Sequence, residues 1–311
     1  MIHRTMANAQ PLRIKSITEY HRVMGLPKPE HPLISVIDLG TLPYLPGNEP
    51  ISLVFDFYSI SVKKDFHAKI KYGQQEYDFD EGIMFFISPG QVFGIAAEKG
   101  AIAKRSGWML FIHPDFLWNT PLAKTIKQYE YFSYSVHEAL HLSDKEETMI
   151  INIMQNIHYE YHSNIDKFSQ DVIIAQLELL LTYSERFYNR QFITRKITNH
   201  KILNRLEDIL ADYFNNENLA EKGLPTVQSI AETLTVSPGY LSGLLKTLTG
   251  QSTQQFIHDK LLDKAKEKLS TTDLSVSEIA YALGFEHPQS FSKLFKTKTK
   301  LSPLEFRASF N

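Results

Sequence analysis

Residues 275–307 read SVSEIAYALGFEHPQSFSKLFKTKTKLSPLEFR, and the spacing within them decides how the rest of the chain is read. Ser275 with Glu278 three positions on is a capping box, so a helix is expected to start there and to bury Ile279, Ala280 and Leu283. Gly284 should stop it. His287 stands at the next cap position, and Pro288 takes the first helical position, where a missing N–H costs nothing. In the helix that follows, Phe291, Leu294 and Phe295 recur at helical spacing and must face a core, which turns Gln289, Ser292, Lys293 and Lys296 outward. Ser302, Pro303 and Glu305 cap a closing helix that carries Phe306 and Arg307. Two short helices with a glycine-containing turn, the second exposing amide, hydroxyl and ammonium groups, are the parts of a helix-turn-helix whose outer helix enters the major groove.

The pattern occurs twice. Val227, Ile230, Ala231 and Leu234 match Val276, Ile279, Ala280 and Leu283 in register. After one extra residue in the later copy, Leu241, Ser242, Gly243, Leu244, Leu245 and Lys246 match Phe291, Ser292, Lys293, Leu294, Phe295 and Lys296. Ser252 then answers to Ser302, Phe256 to Phe306, and Ser237-Pro238 to His287-Pro288. Between the copies, Leu261, Leu262, Ala265 and Leu269 form one apolar stripe, so a single connecting helix is expected to hold both units. Two outer helices held this way could enter successive major grooves, about 34 Å apart on one face of the duplex.

From about His200 onward the chain resembles the DNA-binding domain of the AraC/XylS family of transcription regulators, most strongly through I-A…G-F…S-F-S-K-L-F-K…S-P-L-E-F-R in the second unit. The resemblance implies a seven-helix domain with two helix-turn-helix units joined by a long helix. Carried over by position, it places Gln289, Ser292 and Lys293 of the second unit, and Gly239, Ser242 and Gly243 of the first, toward base edges. Lys246, Lys296, Lys298 and Lys300 are the candidate phosphate contacts. Two departures stand out. Gly243 occupies a place where a basic residue is usual, so the first outer helix is expected to contact backbone phosphate or shape and leave sequence selection to the second. Lys300 replaces a glycine, and a left-handed turn there should cost roughly 1 kcal/mol.

The chain has 311 residues, enough for two domains with separate cores, and 43% of them are hydrophobic, as in a globular protein. With no cysteine, disulfides and thiol chemistry are excluded, which fits a cytoplasmic setting. No apolar leader segment and no run of about 18 apolar residues is present, so neither export nor membrane partnership is expected. Net charge is only −2, so the argument for nucleic acid rests on local charge, Lys293 to Lys300, and not on the total.

Between Leu33 and Ile112, short runs of β-branched and aromatic residues are separated by Gly, Pro, Asn or Asp: Leu33–Leu39, Ile51–Ile60, His67–Tyr72, Gln75–Asp80, Ile83–Ser88, Val92–Ala97 and Trp108–Ile112. With the C-terminal resemblance in view, this segment resembles the cupin-like sensor domain of many relatives, with Glu81-Gly82-Ile83…Ser88-Pro89-Gly90 as its strand-turn signature. Metal cupins supply a His-x-His pair, a carboxylate and a later His. Here His67 stands alone and Phe93 appears near the later position, so no metal and no cofactor is expected. A barrel of this size can enclose a small organic effector, with Phe55, Phe57, His67, Tyr72, Phe86 and Trp108 as candidate lining; for each aromatic, plain core packing is the favoured reading.

His137-Glu138-Ala139-Leu140-His141 has the HExxH spacing of zinc peptidases, which on a helix sets two imidazoles on one face. Ser143 with Glu146 starts a new helix directly afterwards, which favours capping or solvent-facing histidines, as for His158 and His162. Ile150, Ile153, Met154, Ile157 and Tyr161 make one amphipathic stripe, and Ile173, Ile174, Leu177, Leu180, Leu181 and Phe187 another; they either cover the β-domain or pair with a second copy.

The fold class expected is therefore α+β: a cupin-like β-barrel sensor over 1–120, helical connector or dimerisation helices over 121–190, a polar linker over 191–200, and an all-α DNA-binding domain over 201–311 with units at about 226–247 and 275–297. The function expected is a non-enzymatic, sequence-specific transcription regulator. Its partners would be double-stranded DNA, a small-molecule effector, a second copy of itself, and RNA polymerase if it activates. An HExxH zinc peptidase and a helical protein-interaction adaptor are the alternatives.

Overall fold

The computed structural model describes residues 11–42, 51–64, 70–72, 75–77, 82–95, 106–135, 138–163, 166–194, 196–215 and 223–309. Strands form where apolar runs lie between turn residues: β1 (Leu12–Ile14), β2 (Ile34–Asp38), β3 (Ile51–Phe55), β4 (Tyr58–Lys64), β5 (Ile70–Tyr72), β6 (Gln75–Tyr77), β7 (Ile83–Ile87), β8 (Val92–Ile95), β9 (Ser106–Ile112) and β10 (Leu140–His141). They assemble into a three-stranded sheet in the order β1-β3-β8, a five-stranded antiparallel sheet in the order β10-β7-β4-β9-β2, and the hairpin β5-β6. With the helices that follow they make a mixed helix-and-sheet unit, and among the described residues the sheets do not close into a barrel. Its core lies between the two larger sheets. Ile14 and Phe55 from one, Ile37 and Phe111 from the other, and Ile17 and Tyr20 from the short helix α1 (Ile17–Val23) form a single buried cluster.

The run Ile51–Ile60, read as one strand, is two. The Asp56 N–H donates to the Ile14 carbonyl as the chain leaves the first sheet, and β4 then pairs with β7 and β9 in the second. Every residue of β7 is buried, as expected of a strand covered on both faces. The other cover is helical: α2 (Leu122–Thr125), α3 (Asp144–Tyr161) and α4 (Ser169–Thr194) follow, and Tyr131 donates to the Leu181 carbonyl at 2.9 Å while its ring lies 4.5 Å from that of Phe86. Arg190 fixes α4 to α3 by donating from both Nε and Nη2 to the Glu146 carboxylate.

The chain divides into two units, residues 1–191 and 192–311. The stretch 191–200, expected to be a polar linker, is helical on either side of residue 195, within α4 and α5 (Lys196–Asn215). Polar composition without Gly or Pro leaves a helix free to continue.

The second unit contains seven described helices: α5, α6 (Val227–Leu234), α7 (Pro238–Thr249), α8 (Thr253–Thr271), α9 (Val276–Ala282), α10 (Pro288–Thr299) and α11 (Pro303–Ala308). All pack on one apolar cluster. Leu261, Leu262, Ala265 and Leu269 of α8 are at most 4% exposed and sit in the same cluster as Leu241 of the first unit and Phe291 of the second. Among the described residues, no helix is long and apolar enough to cross a membrane.

Candidate nucleic-acid interface

The two helix-turn-helix units are built by the same local bonds. In the first, the Thr226 hydroxyl caps α6, Thr235 is left-handed at φ 59°, and the Val236 N–H reaches back to the Ala231 carbonyl. In the second, the Ser275 hydroxyl caps α9, Gly284 is left-handed at φ 83°, and the Phe285 N–H reaches back to the Ala280 carbonyl. Each pair of bonds lies 49 residues from its counterpart. The left-handed residue reverses the chain, and the buried side chain after it, Phe285 in the second unit, pins the turn to the core.

The outer helices then begin at proline. Ser237 caps α7 through its hydroxyl, whereas His287 occupies the cap position of α10 without a side-chain cap bond. Phe291 and Phe295 are wholly buried, which fixes the rotation of α10 about its axis. Gln289, Lys293 and Lys296 are consequently exposed and Ser292 half-buried, and the side chains of Gln289, Ser292 and Lys293 have no hydrogen-bond or ion-pair partner among the described residues. This face offers an amide, a hydroxyl and an ammonium group within two turns, a set able to donate to and accept from base edges.

The first outer helix differs. Ser242 is half-buried and its hydroxyl lies 3.1 Å from that of Thr253, which is buried at the start of α8. Gly239 and Gly243 flank it on the same helix, so of the outward positions only Lys246, exposed one turn on, carries a long polar side chain. Thr253 was not legible as a site residue. The signal was its register, since it aligns with Pro303 and so gives the first unit a hydroxyl that the second lacks.

The lysines expected at phosphates are not equivalent. Lys296 is exposed near Glu305, Lys298 is ion-paired to Asp259 at 3.2 Å, and Lys300 folds back so that its ammonium donates to the Thr297 carbonyl at 3.1 Å. Lys300 has the left-handed backbone anticipated for it, φ 68°. Glu305 and Glu278 accept from the Ser302 and Ser275 N–H groups at 2.7 Å each. Those caps hold both carboxyls below the usual carboxylate range; for Glu278 the Ser275 side chain is the larger cause, and for Glu305 the Ser302 backbone. His258, near this end of α8, is held below the ordinary histidine range by burial and then by the Lys298 ammonium, with Asp259 opposing. Arg307 donates to the Leu269 and Leu274 carbonyls and so anchors α11 beyond the end of α8.

The other candidate sites disperse. Phe55 and Phe57 stack at 4.9 Å inside the inter-sheet core, Phe86 faces Tyr131 and Phe132 on the helical side, and Trp108 meets the His158 ring at 4.8 Å. The cavity beside Phe86 has a volume of about 10 Å³, room for a single water. His67 lies outside the described residues, and Tyr72 is described only as part of its strand. The helical HExxH is overturned: Leu140 and His141 form a strand paired with Met84 and Ile83, while His137 lies outside the described residues.

Residues 230–309 match a family model described as a helix-turn-helix domain. The chain is 34% identical over 108 residues to the uncharacterized transcriptional regulatory protein YesN of Bacillus subtilis, covering 34% of this chain and 28% of that protein. It is 30% identical over 139 residues to the HTH-type transcriptional activator RhaS of Escherichia coli, covering 45% of each. Among solved structures, the C-terminal domain of the two-component response regulator yesN from Fusobacterium nucleatum is 30% identical, with 33% of this chain and 95% of that one covered and a TM-score of 0.30. The chain thus spans well under two thirds of these curated relatives' own length.

Proposed function

We propose that the chain belongs to the AraC/XylS family of helix-turn-helix transcription regulators, as the match of residues 230–309 supports, and that the whole protein is a sequence-specific DNA-binding regulator whose readers are Gln289, Ser292 and Lys293. The observation that carries this reading is the face of α10: three polar side chains without internal partners, opposite two wholly buried phenylalanines, on the outer helix of a unit built twice. Lys246 and Lys296 are the phosphate contacts it favours, with Lys300 secondary and Lys298 first having to leave Asp259.

The N-terminal unit is the sensor and dimerisation part of this reading, cupin-like in descent. Val172 and Leu179 are exposed along α4, and Phe168 just before it, which supports pairing with a second copy. A small-molecule effector and contact with RNA polymerase belong to the same proposal, as does a cytoplasmic location. An effector acts only if it binds two arrangements with different affinity. No catalytic role and no cofactor is proposed.

The test is retention of a random duplex pool by the purified full chain at several salt concentrations, with and without small molecules from cell extract, followed by sequencing. A protein neutralising about six phosphates loses on the order of a thousandfold in affinity between 50 and 200 mM salt. Retention without salt dependence or sequence enrichment would instead favour the helical adaptor.

A further inference from the structure

We infer that the two outer helices divide recognition unequally: α10 selects base pairs, whereas α7 follows groove shape and phosphate, with Ser242 a positioning residue that clasps α7 to α8 and touches no base. This rests on the DNA-binding reading above and specifies it.

The argument begins with the pair Ser242 and Ser292, which sequence register makes equivalent. Fifty residues separate them, and fifty separate their neighbours Thr253 and Pro303. Thr253 is 1% exposed at the first position of α8, and its hydroxyl lies 3.1 Å from that of Ser242. Pro303, buried at the first position of α11, has neither hydroxyl nor N–H to offer, and Ser292 has no partner among the described residues. The same serine is therefore committed in one unit and available in the other. Releasing Ser242 to a base would leave a buried threonine hydroxyl unpaired, a cost that opposes the change.

The flanking positions point the same way. Gln289 and Lys293 are matched by Gly239 and Gly243, and glycine presents only hydrogen where a base edge needs a donor or acceptor. A helix face bared in this way can lie close against the duplex, so its preference falls on groove width and deformability. Lys246, one turn on, remains as a sequence-independent phosphate contact. The DNA that fits has one block of specified base pairs and, one helical turn away, about 10 bp, a segment chosen for shape.

The experiment uses the full-length chain and the best duplex from selection, with every base pair substituted singly. Ser242→Ala and Thr253→Val should weaken all duplexes by a common factor, should leave their ranking unchanged to within about twofold, and should be no worse in combination than the weaker single variant, because both break one bond. Lys293→Ala should flatten the ranking within one block. Gly243→Arg, which replaces a poor helix former and so should fold at least as well, should create a new base preference of about tenfold one turn from that block. The inference is overturned if Ser242→Ala, but not Thr253→Val, shifts the preference at any base pair by tenfold, or if Gly243→Arg leaves the ranking untouched. Those outcomes leave the regulator reading standing. If the parent chain retains no DNA at all, both fall together.

Discussion

Among the left-handed positions of the C-terminal unit, four form two pairs matched by the repeat: Thr235 at φ 59° with Gly284 at 83°, and Gly250 at 75° with Lys300 at 68°. In each pair one copy of the repeat carries glycine and the other a residue with a Cβ. That conformation costs an L-residue about 1–2 kcal/mol, while glycine returns about 0.4–1 kcal/mol by loosening the unfolded chain. For Lys300→Gly the N–H bond to the Lys296 carbonyl, 2.9 Å, survives the substitution, and the bond lost, from the ammonium to the Thr297 carbonyl, is exposed and contributes little against water. The net expectation is a gain of about 0.5–1 kcal/mol, with Thr235→Gly similar, because it removes a β-branched side chain but also the hydroxyl bond to the Leu234 carbonyl. Hydrogen exchange read by mass spectrometry on the full chain would localise the effect. Amides of α10 that exchange only on global opening of this unit should slow roughly two- to fivefold in Lys300→Gly, and the reverse substitution Gly250→Lys should speed exchange in α7 by a similar factor. If Lys300→Gly exchanges as fast as the parent while Gly250→Lys is silent, the left-handed caps carry no strain and the reasoning is wrong.

Lys293→Ala should cost about 1–3 kcal/mol on the preferred duplex and relax one base position, whereas Lys296→Ala should weaken all duplexes and flatten the salt slope by about one unit; anisotropy titrations at several salt concentrations separate the two. Phe291→Ala, at a side chain with no exposed surface, should destabilise the C-terminal unit by about 3–5 kcal/mol in urea melts, while Lys293→Ala leaves the midpoint unchanged. Because the caps lower the carboxyls of Glu278 and Glu305, their contribution is full above the ordinary carboxylate range and is lost as pH falls through the lowered folded values. Acid unfolding of the doubly substituted Glu278→Gln, Glu305→Gln chain, followed by circular dichroism, should accordingly depend less on pH than that of the parent.

Much of the C-terminal unit was legible because its signals are short-range. The Ser275–Glu278 and Ser302–Glu305 caps, the stop at Gly284 and the Phe291–Phe295 spacing all act within four residues, and each appears in the structure where it was expected. The N-terminal unit was legible only as a tendency toward strands. A signal of the same kind was overlooked there: Ser16 caps α1 with Glu19 three positions on. HExxH shows the opposite limit: its spacing is local, whereas Leu140 and His141 are placed by strand pairing with a segment more than fifty residues away.

By itself the sequence determined which residues of α10 turn away from the core, because helical periodicity and two buried phenylalanines permit one rotation only. It also determined that the unit is duplicated. Tertiary structure alone decided that β1 runs parallel to β3, that β10 completes the five-stranded sheet, and that Phe55 stacks on Phe57 while Phe86 faces Tyr131. It alone separated two serines that register makes equivalent, Ser242 held by Thr253 and Ser292 left open. Which hydroxyl finds a partner depends on how two helices approach each other, and no spacing along one helix encodes that distance.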